Sequence, residues 1–197
     1  YCSRNKNIKT YSFEPSVFNL ELLAKNIHIN NLNDKITIIP FPLFSHTEIS
    51  NFNYTNIEVG SALSTFGRDF THDGTKMKIN FNYKTISTSL DNCKKYFLLS
   101  QADYIKIDVD GIEHLILNGA SEYLNNNNIK SLSIELNENF EDQYNEVMKI
   151  MKNSNFNLKH KKKALRTNKQ DQDEKFLKTY NFVFDRERRW SSLIRWI

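Results

Sequence analysis

Residues 104–113 read Tyr-Ile-Lys-Ile-Asp-Val-Asp-Gly-Ile-Glu, and no other stretch constrains the fold as much. A strand-length apolar run gives way to acids at Asp108, and Gly111 permits a tight turn. Helical spacing then takes over through Ile112, Leu115, Ile116, Ala120 and Tyr123. The stretch therefore predicts a strand over residues 104–109 that feeds a helix over about 111–124. Strands joined through helices in this way belong to parallel sheets covered by helices.

The same alternation runs along the chain. Residues 8–13 form a short predicted strand ending at Glu14-Pro15, and Pro15 with Ser16 suits a helix start. Leu20, Leu23, Ala24 and Ile27 line one stripe of that helix. Residues 36–44 are almost continuously apolar, as a strand buried on both faces would be. Residues 48–90 mix aromatics with Thr, Ser and Asn, with Gly60, Gly67 and Gly74 as turn points. They predict an inserted β-hairpin region with a loop at 61–73. After the helix at 111–124 come a strand at 129–136 and a helix whose inner face is Phe140, Tyr144, Val147, Met148 and Met151. Residues 156–161 and 179–184 read as an antiparallel closing pair across the polar segment 167–175. The predicted class is α/β, a doubly wound, mostly parallel sheet with an antiparallel closing pair. No repeat or Pro/Gly-rich linker divides it, so one domain is expected over residues 1–185, with a basic, aromatic tail at 186–197.

Bulk properties narrow the function classes. At 39% hydrophobic and 25% charged, a chain of 197 residues is long enough to bury one core and too apolar for wholesale disorder. The net charge of +4 is mild and sits partly in residues 159–163 and 186–189. Without a dense basic stripe, nucleic acid is not expected as a partner, and the lysines of 159–163 with Arg166 read as a solvated face. Trp190, Leu193, Ile194, Trp196 and Ile197 among arginines are read as packing on the domain or a partner rather than lying on a membrane. No apolar run has the length of a membrane span. Cys2 and Cys93 lack any C-x-x-C or metal-ligand spacing and read as free thiols of a reducing, cytoplasmic compartment.

Ligands of open α/β sheets bind at the carboxyl ends of strands, which selects Glu14, Phe44-Ser45, residues 108–113 and residues 135–137. Glu14 has the position of a carboxylate that accepts hydrogen bonds from both ribose hydroxyls of a nucleoside; a surface acid at a strand end is the other reading. Asp108 at its strand end is the leading functional carboxylate. Asp110 also reads as a helix cap and Glu113 as a partner of the helix dipole. His114 reads as a packing residue. His28, His46, His72 and His160 show no metal-ligand spacing, and no metal is expected. Asp108-Val109-Asp110 also imitates the D-x-D that holds a divalent metal and a sugar nucleotide in some glycosyltransferases.

Three separated segments resemble the FkbM methyltransferase family. The first is Ser12-Phe13-Glu14-Pro15 with Asn19, Leu22-Leu23, Asn26 and Asn30. The second is Thr88, Leu90-Asp91, then Tyr104 through Glu113, and Asn118-Gly119-Ala120. The third is Ser133-Ile134-Glu135-Leu136 with Asn181-Phe182-Val183-Phe184. The resemblance covers about residues 8–184 and implies a class I, Rossmann-like methyltransferase sheet that binds S-adenosyl-L-methionine. It implies that Glu14 holds the ribose, Ser45 lies near the adenine edge, and Asp108 faces the methionine end of the cofactor or the acceptor. Asp110 departs from the family, which usually has Glu there. A larger departure is the absence of the family's Gly-rich first strand and loop. Residues 1–7 hold no glycine and no initiator Met precedes them, so an amino-terminally truncated domain is expected rather than a degenerate one.

The implied reaction is O-methylation of a hydroxyl on a small molecule or glycan. The cofactor carries the reactivity, the protein aligns the acceptor, and Asp108 or Glu113 takes the proton. A metal-dependent glycosyltransferase and a non-catalytic binding module are the rival readings.

Overall fold

The structure, a computed structural model, describes residues 8–97, 99–164 and 177–186. Strand β1 (Thr10–Phe13) leads into helix α1 (Val17–Ile29), and β2 (Ile36–Ile39) returns parallel to β1, Thr10 facing Ile36 and Phe13 facing Ile39. Ser16 caps α1 by accepting from the Asn19 N–H, and Pro15 stands one residue before the cap. The strand expected over 36–44 ends at Ile39. Pro40 and Pro42 offer no amide to a ladder, and Leu43 makes only an isolated bridge to Thr88.

Residues 48–90 are β-rich as expected and form a separate antiparallel sheet. It comprises β3 (Ile49–Tyr54), β4 (Ser64–Phe66) and β5 (Phe81–Ile86) in the order β4-β3-β5. Helix α2 (Leu90–Tyr96), absent from the sequence reading, follows directly. Ser89 caps it by accepting from the Asn92 N–H at 3.1 Å. Its first-turn Asp91 accepts from the N–H groups of Tyr123, at 2.7 Å, and Glu122, at 3.1 Å. One carboxylate thus sits in the first turn of one helix and caps another.

β6 (Tyr104–Ile107) carries the predicted handover. The helix expected over 111–124 is two short helices, α3 (Glu113–Asn118) and α4 (Ser121–Leu124). The break has a steric cause. A Cβ on Gly119 would lie 2.3 Å from the Phe44 carbonyl oxygen and 2.9 Å from the Ser45 Cα. Here the helix passes so close to the end of the 36–44 run that only glycine fits.

β7 (Ser131–Asn137) and α5 (Glu141–Asn153) precede β8 (Phe156–Lys163) and β9 (Thr179–Arg186), in the sheet order β6-β7-β9-β8. β6 and β7 are parallel, and β8 and β9 form the antiparallel closing pair expected from the sequence. Along β7, Leu132, Ile134 and Leu136 are buried and alternate with partly exposed neighbours. They pack with Phe182, Phe184, Val147 and Met151 into the main core. Outer strand β8 is mostly exposed and lysine-rich, a composition that discourages edge-to-edge pairing. Two of its lysines are ion-paired, Lys159 with Asp185 at 2.6 Å and Lys161 with Glu138 at 2.7 Å. Residues 167–175, Arg166, Cys2 and the aromatic tail lie outside the described residues. Cys93 is a buried free thiol.

The expectation of one doubly wound sheet needs correction. Among the described residues the strands form three sheets, and the β1-β2 pair is not hydrogen-bonded to the β6-β7-β9-β8 sheet. β1 pairs only with β2, and β6 pairs only with β7. No described helix is long and apolar enough to cross a membrane.

Replacing Gly119 by Ala forces a shift of backbone on both sides of the close approach. The expected loss of unfolding free energy is about 1–3 kcal/mol, measured by urea denaturation. An unchanged midpoint would show that the approach is loose.

Candidate active site

A cavity of about 1220 Å³ runs between β1 and β6. Residues 8–15 form one wall and residues 101–110 the other, over apolar side chains that include Leu90, Ile116, Leu117 and Ala120. Ligand cavities run to about 300–1000 Å³, so there is room for more than a nucleoside. Glu14, Asp108 and Asp110 all line this cavity and stand just past the ends of β1 and β6.

Glu14 is partly buried, and burial raises its carboxyl above the ordinary range. Its Oε1 accepts from the Ser16 N–H at 2.9 Å. The turn is held from outside by Tyr83 of β5, whose hydroxyl donates to the Pro15 carbonyl. The inserted sheet thus fixes the start of α1 and with it the Glu14 carboxylate.

At the end of β6 the three acids of the motif separate. Asp108 is about 40% exposed and pairs with the Lys106 Nζ at 2.5 Å. Asp110 adopts φ 58°, uncommon for a side-chain-bearing residue but tolerated by Asp, and its Oδ2 accepts from the Leu63 N–H at 2.7 Å. Gly111 follows at φ 120°, where a Cβ would lie 2.9 Å from the Thr71 carbonyl oxygen. This is the tight turn that the glycine predicted, and the insertion presses against it.

Glu113 points away from the cavity. It is 3% exposed and accepts from the N–H groups of Val109 at 3.3 Å and Gly111 at 3.2 Å. Gln143 of α5 donates to its Oε2 at 2.6 Å and also to the Gly111 carbonyl. Burial pushes the Glu113 carboxyl up to about 7, against its hydrogen bonds. The geometry is that of a brace for the 109–111 turn. Beside it a water-sized chamber is lined by His72, Asn137, Gln143 and Thr179.

Ser45 does not line the large cavity. It sits against Gly119, its hydroxyl 2.9 Å from the His46 Nδ1. His114 packs edge-on to Phe140, and burial lowers its basicity. Among the described residues no group of three or more His, Cys, Asp or Glu is placed to hold a metal ion.

Gln143, Asn19 and Tyr83 were missed as site residues. Gln143 had a signal, because it falls between Phe140 and Val147 on the buried stripe of α5, where a polar residue needs a partner. Tyr83 had none beyond its aromatic character.

The model of the methyltransferase FkbM domain matches residues 1–158. The chain belongs to the FkbM methyltransferase family. The crystal structure of methyltransferase FkbM from Methylobacillus flagellatus KT superimposes with a TM-score of 0.53 at 12% sequence identity, over 90% of this chain and 36% of that one. At that identity the match speaks for the fold alone, and this chain spans little more than a third of that protein. No curated protein matches the chain. In this FkbM domain, the F-E-P-x-x-x-N and D-x-D-G-x-E segments are the ones that meet at the cavity.

The buried Glu113 gives the FkbM domain a pH signature. The folded chain holds this proton up to about pH 7, whereas the unfolded chain releases it near the ordinary value of 4.5. Stability therefore falls as pH rises through that window. Its contribution to the loss between pH 5 and 8 is roughly 1–3 kcal/mol. Urea denaturation across that range should show a flatter profile for Glu113→Gln than for the parent. Parallel profiles would mean that Glu113 titrates normally.

Proposed function

We propose that this chain is the core of an S-adenosylmethionine-dependent O-methyltransferase that acts on a hydroxyl of a small molecule or glycan. The observation that carries this reading is the opening of Glu14 onto the same cavity as Asp108, each just past the end of its strand. A half-buried carboxylate whose remaining lone pairs face a cavity suits the paired hydroxyls of a ribose. Family membership supports the methyl-transfer chemistry.

The donor set fits the cofactor in part. Glu14 would take the ribose and Asp108 would lie towards the methionine end or the acceptor. No glycine lines the described cavity, so a main-chain cradle for the amino-acid end has no counterpart in its walls. Among the described residues β1 and β6 each have a partner strand on one side only, and they flank the cavity. One further strand laid between them would join the two sheets as β2-β1-strand-β6-β7-β9-β8, the mostly parallel, Rossmann-like arrangement. The cofactor site would then be the upper part of the cavity, at the strand ends.

S-adenosylmethionine would supply an electrophilic methyl group on its sulfonium. Glu14 orients the nucleoside, and the cavity walls exclude water and align the acceptor hydroxyl. Asp108, held beside Lys106, takes the hydroxyl proton as the acceptor oxygen gains the methyl group. Glu113 acts behind the site, by holding the turn that carries Asp108 and Asp110.

Calorimetric titration of S-adenosylhomocysteine into the full-length protein tests this reading. Binding is expected, and Glu14→Gln should weaken it about 10- to 100-fold, the effect of one or two lost charge-assisted hydrogen bonds. No binding would favour a binding module or a sugar-nucleotide enzyme, and unchanged affinity in the variant would remove Glu14 from the ribose site.

A further inference from the structure

The cavity is crossed at its strand-end side by one short piece of the insertion, residues 60–63. It is tied at both ends to the two sequence segments that meet at the site. At one end the Gly60 N–H donates to the Asn19 Oδ1 at 2.8 Å, and the Asn19 Nδ2 donates to the Ser61 carbonyl at 3.3 Å. At the other end the Leu63 N–H donates to the Asp110 Oδ2 at 2.7 Å. The Asn19 side chain also lies close enough to Glu14 to favour its ionised form, so the first tie sits beside the carboxylate proposed to hold the ribose.

From Gly60 to Leu63 is three Cα steps, at most about 11 Å of extended chain. That is enough for four residues to reach from the start of α1 to the turn after β6, as the ties to Asn19 and Asp110 show. Ser61 and Ala62, in the middle of the bridge, line the cavity. The bridge is not relaxed: Leu63 lies at φ 64°, a region that a residue with a branched side chain adopts at a cost. Its carbonyl is held as well, by the N–H of Thr55 at 3.4 Å and the Thr55 hydroxyl at 3.0 Å.

We propose that residues 60–63 are a strap over the nucleoside side of the site, and that Asn19 and Asp110 are positioning residues that latch it. On this account Asp110 acts through Leu63 rather than on a substrate. Release of either latch lets Leu63 leave its left-handed conformation, and the nucleoside enters and leaves through the opening. This second consequence rests on the S-adenosylmethionine reading, whereas the latch itself does not.

Hydrogen exchange of the Gly60 and Leu63 amides, in the full-length protein without ligand, tests the latch. Asn19→Ala should speed exchange at Gly60 about 5- to 10-fold, the worth of one net hydrogen bond. Asp110→Gly, which keeps access to positive φ, should do the same at Leu63. Asp110→Asn retains an acceptor oxygen and should leave Leu63 protected. Stopped-flow measurement of S-adenosylhomocysteine should then show faster association and faster release in the two latch-breaking variants. Unchanged exchange at both amides, or a rise no larger than at β7 core amides, would overturn the latch. Faster exchange with unaltered ligand rates would overturn the role of the strap in entry. A full-length protein that binds no S-adenosylhomocysteine would sink the cofactor reading while leaving the exchange result standing.

Discussion

The site depends on one buried carboxylate and the turn it braces. Behind β6 the backbone takes positive φ twice in succession, at Asp110 and Gly111, and so leaves amides facing inward. Glu113 collects the Val109 and Gly111 amides, and Gln143 reaches across from α5 to hold both the carboxylate and the Gly111 carbonyl. A charge buried this fully is costly, and the rise of its pKa to about 7 reports that cost. The benefit is positional. With the turn fixed, Asp108 ends its strand at the cavity mouth and Asp110 faces the insertion.

The insertion is the second constraint. It touches the rest of the fold at Tyr83 on the Pro15 carbonyl, Gly60 and Ser61 on Asn19, Leu63 on Asp110, and Thr71 against Gly111. Phe140 at the head of α5 packs on Phe70 from the other side, and Gly74 lies close against its ring. The three-stranded antiparallel sheet thereby supports the start of α1 and the turn at 109–111. Its aromatic face, Phe52, Tyr54, Phe66 and Tyr83, carries the apolar burial that holds it there.

Much of this was legible from residues in sequence. The strand-to-helix handover at 104–113 could be read because its cause is local: apolar run, glycine, helical spacing. The antiparallel closing pair and the β-rich insertion were legible for the same reason. The break at Gly119 was not, since it is imposed by the Phe44 carbonyl some 75 residues earlier, and neither was the early end of β2, where two prolines override an apolar pattern. Among the site residues, Glu14 and Asp108 lie at the strand ends where the topology of open sheets places ligands. Glu113 was legible as important but not as a brace, because its exposure is decided by Gln143 on another helix. The partners of Asn19 and Asp110 stand 41 and 47 residues away, and no local pattern points across such a gap.

The central claim is that the ends of β1 and β6 form one nucleoside site. A crystal structure of the full-length protein with S-adenosylhomocysteine tests it most directly. The account predicts the ribose hydroxyls on the Glu14 carboxylate, the amino-acid end towards Asp108, and residues 60–63 lying over the nucleoside. A nucleoside bound elsewhere, with Glu14 facing solvent, would contradict it.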